Sequence, residues 1–421
     1  MKERLKEISR NKFIRNVSTL ALGSIVSQAI VVASSPLLSR IYSVEAFGNL
    51  SIFTSFTVFF AVLATGRYEL AIGLPDCDKK ALKVFKLIIC FGFIVSSIYL
   101  ILIFLLKEVF HIHDRTGFLN QNEAYIAPLY IFFIALYTAL GYWKQRKKEY
   151  AKITIGNAIQ VVSTTVFSLL LGLLNCGNGM ILGLVFGVIL SSMYLFKTEN
   201  NLFTSIFQQK NIKDIAKEYF SFPRYMIFSD LSLAASQQFI PILFSLLYNT
   251  TVVGFFSMAN RILRLPNIVI TSSITNVFRN DVIDELRQNG NCRQLYISTF
   301  KKLVFISFPI YTAIFILSPT VFEFVFGKQW IEAGYFARIL SVLLVVEFVV
   351  TPLNSIFYIV GKQKLFMRIQ VLASVVGMIM IYIGKVIFKT PYLSLILFCI
   401  NSLVFNIVFL LSSYHLSKKG L

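Results

Sequence analysis

The chain has 421 residues, of which 56% are hydrophobic and 14% charged, and its mean hydropathy is +0.72. Soluble domains carry about 25% charge, and no aqueous core absorbs this much apolar side chain, so a soluble enzyme or binding module is excluded and lipid is the main solvent. The net charge of +20 would point to nucleic acid in a soluble protein; here it reads as loop charge that orients helices, with no nucleic-acid partner.

Residues 1–15 form a basic segment holding Lys2, Arg4, Lys6, Arg10, Lys12 and Arg15. No small-residue cleavage site follows a short apolar core, so the first hydrophobic run is expected to be a retained helix. A membrane span needs about 20 mostly apolar residues. Uncharged runs lie near 16–39, 46–66, 87–106, 124–143, 153–174 and 178–196. The polar stretch 197–224 follows, where Ile212, Ile215, Ala216 and Tyr219 fall at helical spacing and predict an amphipathic helix on the membrane surface. Further runs lie near 225–248, 252–278, 303–325, 333–360, 366–388 and 391–414, before a short tail at 415–421. The pattern predicts an all-α, polytopic membrane protein with twelve transmembrane helices. They divide into an N-lobe over 16–196, a cytoplasmic linker over 197–224 and a C-lobe over 225–414.

Twelve spans put both termini on one side. Of the 40 lysines and arginines, 31 then fall at the termini and even-numbered connections and 6 on the opposite side. That asymmetry places both termini in the cytoplasm. The five cysteines, Cys77, Cys90, Cys176, Cys292 and Cys399, show no metal-ligand spacing. Only Cys176 would face the oxidising side, so no disulfide is expected within the chain. Two histidines in the longest outer loop, His111 and His113, lack a third ligand, so no metal site is expected. A weak internal repeat supports two parallel lobes: Tyr42, Gly48 and Ser51 follow the first span as Tyr248, Gly254 and Ser257 follow the seventh.

Several helix-end segments carry a more specific signal. Leu38 to Gly48 reads LSRIYSVEAFG, and Arg67 to Pro75 reads RYELAIGLP. Tyr142-Trp143 precedes KQRKKEY, and Phe222-Pro223-Arg224-Tyr225 opens the second half. Ala259 to Pro266 reads ANRILRLP, Phe326 to Gly334 reads FGKQWIEAG with Trp330 as an expected interfacial anchor, and Pro352 and Gly361-Lys362-Gln363-Lys364 follow. In this order the segments resemble the bacterial polysaccharide flippases, the Wzx-type branch of the multidrug/oligosaccharidyl-lipid/polysaccharide exporter superfamily. The resemblance implies two pseudo-symmetric six-helix lobes around a central cavity in the bacterial inner membrane. It implies a polyprenyl-pyrophosphate-linked glycan as substrate, such as an O-antigen unit of lipopolysaccharide, moved from inner to outer leaflet by alternating access without chemical change. A polysaccharide polymerase and a chain-length regulator are the implied protein partners.

An anionic glycan head finds no hydrogen bonds in lipid, so a wet path with cations is required, and intramembrane charge is where to look for it. Arg261 and Arg264 sit roughly 13 and 18 Å into the eighth span at 1.5 Å per residue. Asn260, Arg264, Asn267 and Thr271 follow helical spacing and predict one polar stripe facing a water-filled cavity; the plainer reading is arginines bonded to carbonyls in a packed interface. Ser24, Gln28 and Ser35 on the first span, and Ser229, Ser232 and Ser236 with Gln237 and Gln238 on the seventh, are cavity candidates or small-residue packing. Arg67 and Glu69, with Arg40, are candidates for gating or head-group contact, against a local ion pair or an interfacial arginine. Glu347 and Asp230 are candidates for coupling to H+ or Na+; Asp230 lies near the surface, where it would be solvated. Arg338 and Glu347, nine residues apart, fall on opposite helix faces and do not pair; Arg338 is expected to snorkel.

No GxxxxGK[ST] motif is present, so no ATP hydrolysis and no cofactor are expected. The longest outer loop, 107–123, is too short for the outer domain of a glycan polymerase or ligase, so no enzyme is expected. An ion-coupled small-molecule exporter of the same superfamily is the alternative; RYELAIGLP and FGKQW match the polysaccharide branch.

Overall fold

A computed structural model describes residues 12–111, 122–199, 205–206, 208–209 and 211–418. Among these, fifteen α-helices and no strand are present. The chain divides into two compact units, Met1–Gln238 and Phe239–Leu421, with the boundary inside one helix.

In the first unit, α1 (Lys12–Ile41), α2 (Val44–Thr65), α3 (Asp78–Phe104), α4 (Ala127–Arg146), α5 (Tyr150–Leu173) and α6 (Gly179–Lys197) coincide with the first six expected runs. Local chemistry sets their ends. Ser43 caps α2 by accepting from the amide of Ala46. Gly66, at φ 58, closes it in the left-handed region where a side chain is strained. The hairpin α5–α6 is closed by small residues: a Cβ on Gly183 would meet the Thr164 carbonyl at 2.8 Å and one on Gly187 the Gln160 carbonyl at 2.7 Å. Without hydrophobic drive between helices in lipid, such backbone approach supplies the packing.

The predicted amphipathic helix exists as α7 (Ile212–Glu218). Its apolar side is not left for lipid. Ile215 is 4% exposed, within a core that includes Ala81, Phe85, Leu140 and Trp143. The Tyr68 hydroxyl donates to the Ala216 carbonyl, and Lys80 pairs with Glu218. The first unit ends partway along α8 (Ile227–Leu247).

The second unit contains α9 (Thr250–Leu263), α10 (Ser272–Asn289), α11 (Arg293–Phe326), α12 (Ile331–Leu353), α13 (Ser355–Ile359), α14 (Gln363–Phe388) and α15 (Pro391–Lys418). The run expected at 252–278 is broken. Pro266 has no N–H for the Ile262 carbonyl, so α9 stops at Leu263. A wide turn over Asn267–Thr271 intervenes, and α10 then leaves with Arg279, Asp281 and Arg287 exposed. Among the described residues, ten helical stretches are long and apolar enough to cross a membrane. The expected seventh and eighth spans miss that class: the apolar part of α8 is Gln238–Leu247, and α9 has 14 residues. The chain is a multi-pass membrane protein.

The repeat seen in sequence has a structural counterpart within each unit. Tyr42 donates to the Ser168 carbonyl at 2.6 Å, tying the end of α1 to the α5–α6 hairpin. Burial first, then the Cys176 thiol, push this phenol up to about 12, so it remains a donor. Tyr248 donates to the Thr390 carbonyl at 2.9 Å, tying the end of α8 to the α14–α15 hairpin. Asn249 then caps α9 as Ser43 caps α2.

Candidate functional site

Two charged constellations are built on these elements, one in each unit. In the first, α2 ends and the chain turns through Arg67, whose φ of 58 is an uncommon conformation for a residue with a side chain. The turn aims its guanidinium at two carboxylates. Nη1 donates to Glu69 at 2.9 Å, and Nε and Nη2 hold Asp230 on the first turn of α8. Burial opposes the guanidinium charge, but the bonds to Asp230 and Glu69 outweigh it and hold the group above its ordinary pKa. Glu69 is wholly buried, and its Oε2 has no hydrogen-bond partner among the described residues. Asp230, expected to be solvated, is instead three-quarters buried in this clasp. In the same unit, the fully buried Lys144 at the end of α4 pairs with Glu199 at 2.6 Å and Glu149 at 3.1 Å.

In the second unit, the break after α9 positions the other constellation. Arg264 takes the C-cap of α9 and donates from Nε to Asn260 at 2.7 Å and from Nη1 to Glu347 of α12 at 3.0 Å. Its side chain is 44% exposed and that of Glu347 22%. Arg261, one turn earlier, is half-buried and has no hydrogen-bond or ion-pair partner among the described residues. The predicted polar stripe divides at the break. Asn260 and Arg264 stay together, whereas Asn267 and Thr271 are buried. Asn267 accepts from the Tyr311 hydroxyl at 2.7 Å, and Thr271 donates back to the Asn267 carbonyl. Only a straight α-helix would carry all four on one face; Pro266 and the wide turn end that register.

The remaining candidates are dispersed. Ser24 is exposed, Gln28 half-buried and Ser35 buried with its hydroxyl on the Val31 carbonyl, so the expected face of α1 does not stay together. Arg40 is exposed in the last turn of α1. The side chains of Gln237, Ser229, Ser232 and Ser236 lie outside the described set, as does His113. Gln238 accepts from Ser55 at 3.1 Å. Trp330, expected at the interface, is wholly buried against Phe255. Arg338 Nε donates to the Phe315 carbonyl at 2.9 Å, the acceptor that Pro319 leaves without an N–H four residues on. Sequence reading missed Tyr311 and Lys144 as site-shaping residues. Neither has a periodic signal, since Asn267 and Glu199, which they bond, lie 44 and 55 residues away.

The fold can be matched to known proteins. It superimposes on an inward-closed lipid II flippase MurJ with a TM-score of 0.69 at 16% identity, covering 93% of this chain and 87% of that one. It superimposes equally on an inward-facing multidrug resistance MATE family transporter of the MOP superfamily, with a TM-score of 0.70 at 16% identity and coverage of 92% and 93%. A curated relative, the teichuronic acid biosynthesis protein TuaB of Bacillus subtilis (strain 168), is 20% identical over 187 residues. That match spans 43% of this chain and 39% of the relative. The fold is therefore the one shared by these helical membrane transporters. Within it, the chain belongs to the polysaccharide biosynthesis protein family, whose pattern it matches over residues 37–335. The polysaccharide-flippase resemblance carried by the helix-end segments is borne out.

Proposed function

We propose that this protein is a flippase for polyprenyl-pyrophosphate-linked oligosaccharide units of an O-antigen, capsule or exopolysaccharide, carrying them from the cytoplasmic to the outer leaflet of the inner membrane by alternating access. No bond in the substrate is made or broken. The observation that carries the reading is the pair Arg261 and Arg264: one guanidinium without a partner among the described residues and one nearly half exposed, both beside a break in an apolar helix. Facing hydrocarbon, each would cost about 2.5–3.5 kcal/mol or more. Facing water, they form an anion site suited to phosphate oxygens, which the guanidinium fork contacts in pairs. The same surplus of positive charge repels the cationic compounds that a drug exporter would carry, which favours the glycan-lipid reading over the small-molecule one. Family membership supports a role in polysaccharide biosynthesis.

The Arg264→Ala protein is expected to reach the membrane at normal abundance yet leave lipid-linked glycan on the inner leaflet of a deletion strain. Full restoration of surface polysaccharide by that variant would overturn the reading. Lys at the same position retains the charge but not the fork and is expected to restore export in part.

A further inference from the structure

We propose that the Arg264–Glu347 pair is an exchange site: Glu347 is the resident counter-ion of Arg264, and the anionic head of the substrate displaces it. The inference rests on the anionic-lipid reading above and concerns how that site is kept ready when empty. The bonding around each partner carries it. A guanidinium offers five N–H donors. In Arg264, Nε is anchored to Asn260 on the same helix and one Nη1 proton meets Glu347, so the outer edge of the fork has protons to spare. Asn260 fixes the plane of the group whether or not Glu347 is present.

Glu347 is held far more loosely. Its carboxylate has a single hydrogen bond among the described residues, the one to Arg264 at 3.0 Å. Thr351 is not a second anchor, because its hydroxyl donates to the Glu347 backbone carbonyl. Tyr311, the nearby hydroxyl on α11, is occupied by Asn267 and the Leu263 carbonyl. Lys144 shows what a fixed pair looks like in the same chain: no exposure and two carboxylates within 3.1 Å. Arg264 has the opposite character, with 44% of its side chain exposed and one removable partner. A pyrophosphate brings more than one negative charge and paired oxygens to the fork, so it outcompetes one carboxylate. The carboxylate in turn prevents permanent occupation, since it reclaims the guanidinium when the head group leaves.

The test measures binding of geranylgeranyl pyrophosphate and of geranylgeraniol to the full chain in lipid nanodiscs. Removing the competitor in Glu347→Gln should tighten pyrophosphate binding roughly twofold to fivefold, the worth of a half-exposed ion pair. The gain should vanish in an Arg264→Ala background. Unchanged or weaker binding by Glu347→Gln overturns the exchange site, as does a gain that persists without Arg264. Should Glu347→Gln fail to fold, Glu347→Asp, with a shortened reach, must still bind more tightly than the unaltered protein, and equal binding then overturns the proposal. If the unaltered protein and the variants prefer the pyrophosphate to the alcohol by no margin, it is the anionic-head reading that falls instead.

Discussion

Glu149, with a side chain 32% exposed, shows how a partly buried charge is kept at the basic end of the first unit. Burial works to raise its pKa, but Lys152 and Lys144 outweigh burial and hold it below the ordinary carboxylate value of 4.5. A depressed carboxylate pKa contributes stability that is present above the ordinary value and is lost as pH falls through the folded one. Glu149→Gln is therefore expected to lower stability at pH 7 by about 1–2 kcal/mol, since Lys144 keeps Glu199 as partner. The gap between the two proteins should narrow only once pH drops below 4.5. Thermal melts of the detergent-solubilised proteins across pH check this; a gap of constant size would show that the ionised carboxylate is not what stabilises. Arg67 illustrates the complementary device, a strained backbone residue retained because its side chain joins Glu69 to Asp230.

At the scale of the element, prolines explain more than hydropathy does. Pro319 removes one N–H from the interior of α11, and Arg338 of α12 donates to the abandoned Phe315 carbonyl. The same contact zone explains Gly334 in FGKQWIEAG, where a Cβ would meet the Pro319 backbone at 2.5 Å. Arg338→Leu is expected to cost about 1–3 kcal/mol by leaving that carbonyl unpaired in an apolar setting. With Pro319→Ala in place, the helix supplies its own donor, so the added cost of Arg338→Leu should fall well below its cost alone. Additive losses in the double-mutant cycle would remove this role from Arg338. Pro266 acts differently: it ends α9 and leaves Arg264 at a helix terminus, free to reach α12.

For the whole molecule, the charge asymmetry of the connections predicts which side each faces. Cys77 lies between α2 and α3 and is exposed, whereas Cys176 lies between α5 and α6 and is half-buried. Under the proposed orientation they occupy opposite sides. In single-cysteine versions of the protein, an impermeant maleimide applied to intact spheroplasts should label Cys176, and Cys77 only after permeabilisation. Labelling in the reverse order would invert the orientation, and labelling of both would break the alternation of spans.

The membrane class, the placement of most spans and the family were legible in the chain itself. Each is a local property: about twenty apolar residues summed along one segment, or a short motif at a helix end. Local reading failed where a proline interrupted the register, which is why Asn267 separates from Arg264 and the eighth expected run divides. It also failed for pairing, because opposite charges in lipid must find each other across helices. Glu347 was legible as a coupling candidate that does not pair with Arg338, but its partner Arg264 is 83 residues away, and Asp230 meets Arg67 across 163. Which helix face meets which is decided by packing of small residues and caps, and only the tertiary structure holds that information.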